Sequence, residues 1–192
     1  MRYIRVMSKQ THRFKCIVTA LVLVVGVSLP AFAQQATLDT LYQELLEADE
    51  ASYPRIESRI VAQWEKSGSP AMDLLLRRGQ DALDEGAADI AVEHFSALVD
   101  HAPEFTQAYY GRATAYYALG LVGPALDDIS TALRQNPRHF EAIRALALLM
   151  EELQRPDDAL SLYRMILAIN PQSAETQDAV NNLLSQRAGQ AL

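Results

Sequence analysis

Apolar and polar residues along this chain recur with the three-and-four spacing at which a helix turns one face to a core, and no stretch reads as a strand. In three successive stretches a first helix places Leu75, Arg78, Gly79 and Ala82, then Tyr109, Arg112, Ala113 and Tyr116, then Ile143, Leu146, Ala147 and Met150 on one face. A second helix follows each time, carrying Ala91, Phe95 and Leu98, then Ala125, Ile129 and Ala132, then Ala159, Tyr163 and Ile166. Landmarks return at one fixed interval, which separates Ala91, Ala125 and Ala159 from one another and equally separates Pro103, Pro137 and Pro171. A two-helix unit of this length buries its apolar face only by stacking on the next one, so the pattern predicts a linear array. Gly86 and Gly120 fall at the turn inside a unit, where φ > 0 is needed, and Gln154 takes that place in the third, predicting either local strain or a reshaped turn. Each proline closes a second helix because it cannot continue one.

Helical spacing also runs through Leu38, Leu41, Tyr42, Leu45 and Leu46, and through Ile56, Ile60, Val61 and Trp64 after Pro54, until Gly68-Ser69-Pro70 stops it. This pair lacks the alanine and proline landmarks. It reads as a degenerate repeat or a capping hairpin. After the array, Val180, Leu183 and Leu184 make a narrow apolar stripe on a helix otherwise rich in Gln, Asn and Asp, the build of a solubilising cap.

Small residues at unit positions 8 and 20, large ones at 11, 24 and 27, and the closing proline all recur in register, and in this the chain resembles the tetratricopeptide repeat family. The resemblance implies an all-α helical-hairpin solenoid with repeats at 72–105, 106–139 and 140–173. An N-terminal helical pair over 34–71 precedes them, and a capping helix over 174–187 and a tail over 188–192 follow. At the positions of Arg78 and Arg112 the family often has leucine. Both are expected to lay their stems along apolar surface and carry their heads to water.

The segment 1–33 has a different character. Arg2, Arg5, Lys9, Arg13 and Lys15 form a basic leader without an acid, Cys16 to Leu29 an apolar run, and Ala31-Phe32-Ala33 a small-x-small site before Gln34. That order is a secretory signal, cut after Ala33, which predicts an exported, soluble, periplasmic protein. The apolar run falls short of the roughly 20 residues of a membrane span, so membrane contact is expected only through this segment, and only if it stays uncleaved. Cys16 is the sole cysteine and lies in the leader, so the rest of the chain can form neither a disulfide nor a thiolate metal site. Without the leader's five bases, 12 of the 17 Lys and Arg remain against 24 Asp and Glu, a formal charge of −12. Such a balance repels phosphate backbones and excludes nucleic acid as a partner.

No catalytic, cofactor or metal constellation is found. His94, His101 and His139 lack ligand spacing and are expected as surface or half-buried residues. Glu151 and Glu152 are neighbours on a helix, hence about 100° apart, and form no acid/base pair. The resemblance points instead to unit positions 2, 5, 9 and 12, which line the family's concave groove. The candidate groove residues are Leu76, Gln80, Leu83, Tyr110, Thr114, Tyr117, Arg144, Leu148 and Glu151. Tyr110 and Tyr117, about 10 Å apart along one helix face, are the leading anchors, while Tyr109 and Tyr116 belong to the core. The lysine, asparagine and arginine set by which some members clamp a peptide carboxylate is missing from these positions. The expected function is therefore a non-enzymatic adaptor or scaffold that binds a protein or peptide partner. The alternative is a structural subunit docking through its convex face or ends, tethered if the signal is retained. The groove is expected to be open, or filled by the chain's own terminal helices.

Overall fold

A computed structural model describes residue 35 and residues 37–190, in two units, 1–40 and 41–192. The leader and its cleavage site lie outside the described residues. In the first unit positions 35 and 37–40 are helical, and Gln35 Nε2 donates to Asp39 Oδ1 at 3.2 Å.

Among the described residues of the second unit all regular structure is helical: residues 41–46 (α1), Tyr53–Trp64 (α2), Pro70–Asp84 (α3), Ala88–His101 (α4), Thr106–Ala118 (α5), Val122–Gln135 (α6), Phe140–Glu152 (α7), Pro156–Ile169 (α8) and Ala174–Gln190 (α9). Helices α4, α6 and α8 begin at equal intervals, at Ala88, Val122 and Pro156, and α5, α7 and α9 keep the same step from Thr106 to Phe140 to Ala174. The hairpins α3–α4, α5–α6 and α7–α8 stack through the α4–α5, α6–α7 and α8–α9 seams.

The same hydrogen bonds close each hairpin turn. The amides of Ala87, Leu121 and Arg155 donate to the carbonyls of Ala82, Tyr116 and Met150 at 2.8–2.9 Å. This five-residue step is the Schellman closure of a helix whose next residue is left-handed. Gly86 and Gly120 supply that conformation at φ 76° and 74°. Gln154 adopts it too, at φ 58°, and keeps the bonds. Of the two expected outcomes, strain in the ordinary turn is the one observed. At the other end of each hairpin, Phe105, His139 and Ser173 donate to the carbonyls of Ala102, Asn136 and Asn170 across a turn whose second residue is proline.

The core of the first two hairpins centres on Phe95, which is fully buried with Ala91, Leu98, Ala108 and Ala115. Its ring is clamped between two glycines: a β-carbon added at Gly79 or at Gly111 would stand 2.5 Å from it. Such closeness explains small residues on α3 and α5 better than any requirement for backbone freedom. Arg112 departs from expectation. Its guanidinium does not run out to water but donates twice to Asp128, Nε to Oδ2 at 2.7 Å and Nη2 to Oδ1 at 2.9 Å. It sits between the half-buried rings of Tyr109 and Tyr116, each centroid 5.8 Å away. Asp128, an unremarkable surface acid by its unit position, is buried as a result.

The N-terminal pair buries Leu41, Tyr42, Leu45, Ile56, Ile60 and Trp64 and leaves Leu46 exposed. Its polar contacts reach along the whole array. Gln80 of α3 donates to Glu65 at 2.9 Å, Tyr42 Oη to the Arg138 carbonyl at 3.1 Å, and Asn170 to Glu57 at 2.9 Å. At the far end, the apolar stripe of α9 is reduced to one fully covered side chain, Leu183, with Val180 half-buried and Leu184 exposed.

Candidate functional site

The first helices of the three hairpins line one face. Helix α3 touches α5 directly, whereas α5 and α7 leave between them a cavity of about 430 Å³. Two alanines create the room. Ala113 on α5 and Ala145 on α7 face it, and Ile129 of α6 with Leu149 of α7 forms the floor. Tyr117 and Leu148 stand at the mouth, 45% and 51% exposed.

The mouth is acidic. Glu151 and Glu152, in the last turn of α7, diverge as adjacent helical residues must, and both line the cavity. Glu152 accepts the Tyr117 hydroxyl, and Glu151 accepts the Tyr163 hydroxyl at 2.6 Å. Donation to a carboxylate raises the Tyr117 pKa above the usual phenol value. Burial first, then the bond to Glu151, raises that of Tyr163. A second cavity of about 470 Å³ adjoins the first at Leu148 and Glu151 and runs toward Thr176, Ala179 and Asn182 of α9. Arg144 lines it, with Nη1 3.6 Å from Glu175 and with a buried Nε that has no hydrogen-bond partner among the described residues.

At its inner end the site meets a box of rings. His139, which precedes α7, is fully buried, stacked on Trp64 at 4.2 Å between centroids and tilted against Tyr110 at 4.8 Å. Its Nδ1 accepts from the Ala142 amide at 3.2 Å, capping the helix, so Nε2 carries the proton and donates to Gln107 Oε1 at 2.8 Å. The imidazole is neutral. Burial pushes its pKa down to about 4, and burial together with the nearby Glu141 pushes the Tyr110 hydroxyl up to about 12.

The predicted groove residues divide accordingly. Tyr110, Thr114, Tyr117, Leu148 and Glu151 come together around the first cavity, and Arg144 joins Leu148 and Glu151 on the second. The first-repeat residues do not join them. Leu76 is buried in the core because α3 and α5 close over that position. Leu83 packs against the same cluster, and Gln80 is held by Glu65 of the N-terminal pair. Tyr110 lines the cavity from a half-buried position, its ring tilted against His139. His139 itself, expected at or near the surface, is buried because Trp64 covers it. Glu152, Ala113 and Ala145 were not legible as site residues, since they fall outside positions 2, 5, 9 and 12, and a cavity between hairpins depends on spacing that no single helix encodes. Among the described residues no three of His, Cys, Asp or Glu are grouped to hold a metal ion, and no helix is long and apolar enough to cross a membrane.

The tetratricopeptide repeat profile matches residues 76–128 and 124–174, together more than half of the chain. The chain belongs to the tetratricopeptide repeat family. A TPR repeat-containing protein of Rhizobium etli is 27% identical over 153 residues, 79% of this chain and 75% of its own length. Human DnaJ homolog subfamily C member 3 is 28% identical over 117 residues, 61% of this chain, which spans only 23% of that larger protein. Among solved structures, the first TPR domain of Spaghetti (RPAP3), bound to the HSP90 peptide SRMEEVD, superposes with a TM-score of 0.57 at 21% identity over 61% of this chain and 93% of its own. MamA gives the same TM-score at 18% identity over 76% and 83%. At these identities the structural likenesses establish the TPR solenoid fold, and the family is one of protein-interaction scaffolds.

Proposed function

We propose that this TPR protein is an exported, periplasmic adaptor that holds a segment of another protein in the cavity between α5 and α7. The observation that carries the reading is the cavity itself: about 430 Å³, floored by Ile129 and Leu149, with Tyr117 and Leu148 exposed at its mouth. Exposed aromatic and aliphatic side chains around a concavity are what a buried anchor residue needs. The RPAP3 domain's bound peptide supports peptide capture by this class of fold, and the basic-apolar order of residues 2–33 supports export. Partner contact is confined to the part of the face that the N-terminal pair leaves open.

A photo-crosslinking residue at Leu148 tests the reading against docking through the convex side, where Met165 of α8 is 48% exposed. In envelope extract, crosslinks from position 148 and none from 165 are expected; the reverse favours a structural subunit. Intact mass of the exported chain, starting at Gln34, checks the signal.

A further inference from the structure

We infer that the segment held in this cavity is basic: an apolar side chain seated between Ala113 and Ala145, with a lysine or arginine next to it lying on Glu151 and Glu152. The inference rests on the adaptor reading and specifies its partner's chemistry.

Shape and charge agree on this occupant. The pocket is apolar where it is deep, between Ala113, Ala145, Ile129 and Leu149, and carboxylate-edged only at the mouth. It therefore separates an anchor from a charge. Glu151 and Glu152 each accept one tyrosine hydroxyl, and a carboxylate has room for about four hydrogen bonds. Among the described residues neither lies within ion-pair reach of an arginine or lysine of the chain: Arg144 turns to Glu175, Arg155 to Asp158 and Arg112 to Asp128. Both glutamates also close the C-terminal turn of α7, where the helix dipole adds negative potential. The carboxylates thus stand fixed by tyrosines in a geometry that a cation completes. An acidic peptide is excluded by the same field. The HSP90 peptide held by RPAP3 carries three acids among its seven positions, and it would bring them against Glu151 and Glu152. The surplus of 24 acids over 12 bases beyond the leader extends the attraction for cations to longer range.

Fluorescence anisotropy with short labelled Gly/Ser-based peptides provides the test. One set carries a central Leu, Phe or Trp flanked by two lysines, a second replaces the lysines with glutamates, and a third replaces the anchor with serine. Saturable binding is expected from the first set alone, weakening as salt is raised because the charges are partly exposed. The double variant Glu151→Gln, Glu152→Gln retains acceptors for both tyrosines and is expected to keep its unfolding temperature while losing about tenfold or more in affinity. Ala145→Leu fills the pocket and should abolish binding of the same peptides. Equal binding of the glutamate set, no binding by any lysine set, or an unchanged affinity in the double variant overturns the inference. Crosslinks from Leu148 that map to neutral or acidic stretches also overturn it, and in that case the adaptor reading stands.

Discussion

At the scale of the residue, two buried contacts set the register between neighbouring helices. Phe95 fits only because Gly79 and Gly111 flank it without side chains. A methyl at either glycine has to displace a fully buried ring, so Gly79→Ala and Gly111→Ala are each expected to destabilise by about 1–3 kcal/mol, despite alanine's better helix propensity. Urea unfolding decides this, and a neutral result would mean that the ring can move aside. Arg112 and Asp128 form the second contact. Removing one partner leaves a largely buried charge, so Asp128→Ala should cost about 3–5 kcal/mol. The pair Arg112→Leu with Asp128→Ala restores the apolar residue usual in the family and should be much less damaging than the single change. Equal losses in the single and double variants would show that the ion pair has no such role. Position 23 of a repeat carries no landmark, so nothing in the sequence marked Asp128. Its burial follows from the arginine at position 7 of the same repeat, on the facing helix.

At the scale of the element, the repeat period made the hairpins readable because turn chemistry and packing demand the same residue types in every unit. Even Gln154 keeps the left-handed turn, since the surrounding bonds impose it. The groove was legible only in part. Tyr117, Thr114 and Leu148 open onto it as the unit positions imply, whereas Leu76 is buried and Tyr110 lines it only from a half-buried place against His139, because closure of α3 on α5 and the arrival of Trp64 are tertiary events. The consequence for the N-terminal pair is measurable through pH. Beneath Trp64, His139 has a folded-state pKa lowered from 6.5 to about 4. As pH falls below 6.5 the unfolded chain takes up a proton that the folded chain refuses. The contribution is therefore complete above pH 6.5 and is lost between 6.5 and 4, amounting to about 3 kcal/mol. Glu141 acts in the opposite sense, since burial raises its carboxyl and its protonation favours the folded state. The difference in stability between the wild type and His139→Gln removes that shared contribution. It should be flat above pH 6.5 and narrow as the pH is lowered toward 4; a difference independent of pH would show that the imidazole titrates normally.

At the scale of the 41–192 unit, a stack of repeats in contact only with their neighbours would open piecemeal, weakest seam first. The seam between the second and third hairpins has the α5–α7 cavity beside it. It is the weak one, since the gap proposed to admit a partner's side chain forfeits packing. The N-terminal pair offsets this by holding both sides at once. Trp64 lies on His139 and Phe140 of the third hairpin's start, Glu65 takes Gln80 of the first hairpin, and Glu57 takes Asn170 at the end of the third. Cutting this strap at its aromatic centre should uncouple the array. Trp64→Ala is expected to split urea unfolding into two transitions, with the amides of α7, α8 and α9 exchanging at lower free energy than those of α4 and α5. In the wild type, all five helices should open together in one transition. A single transition in the variant, lower in midpoint but unchanged in slope, would mean that the hairpins cooperate without the strap and that the cavity is not a seam.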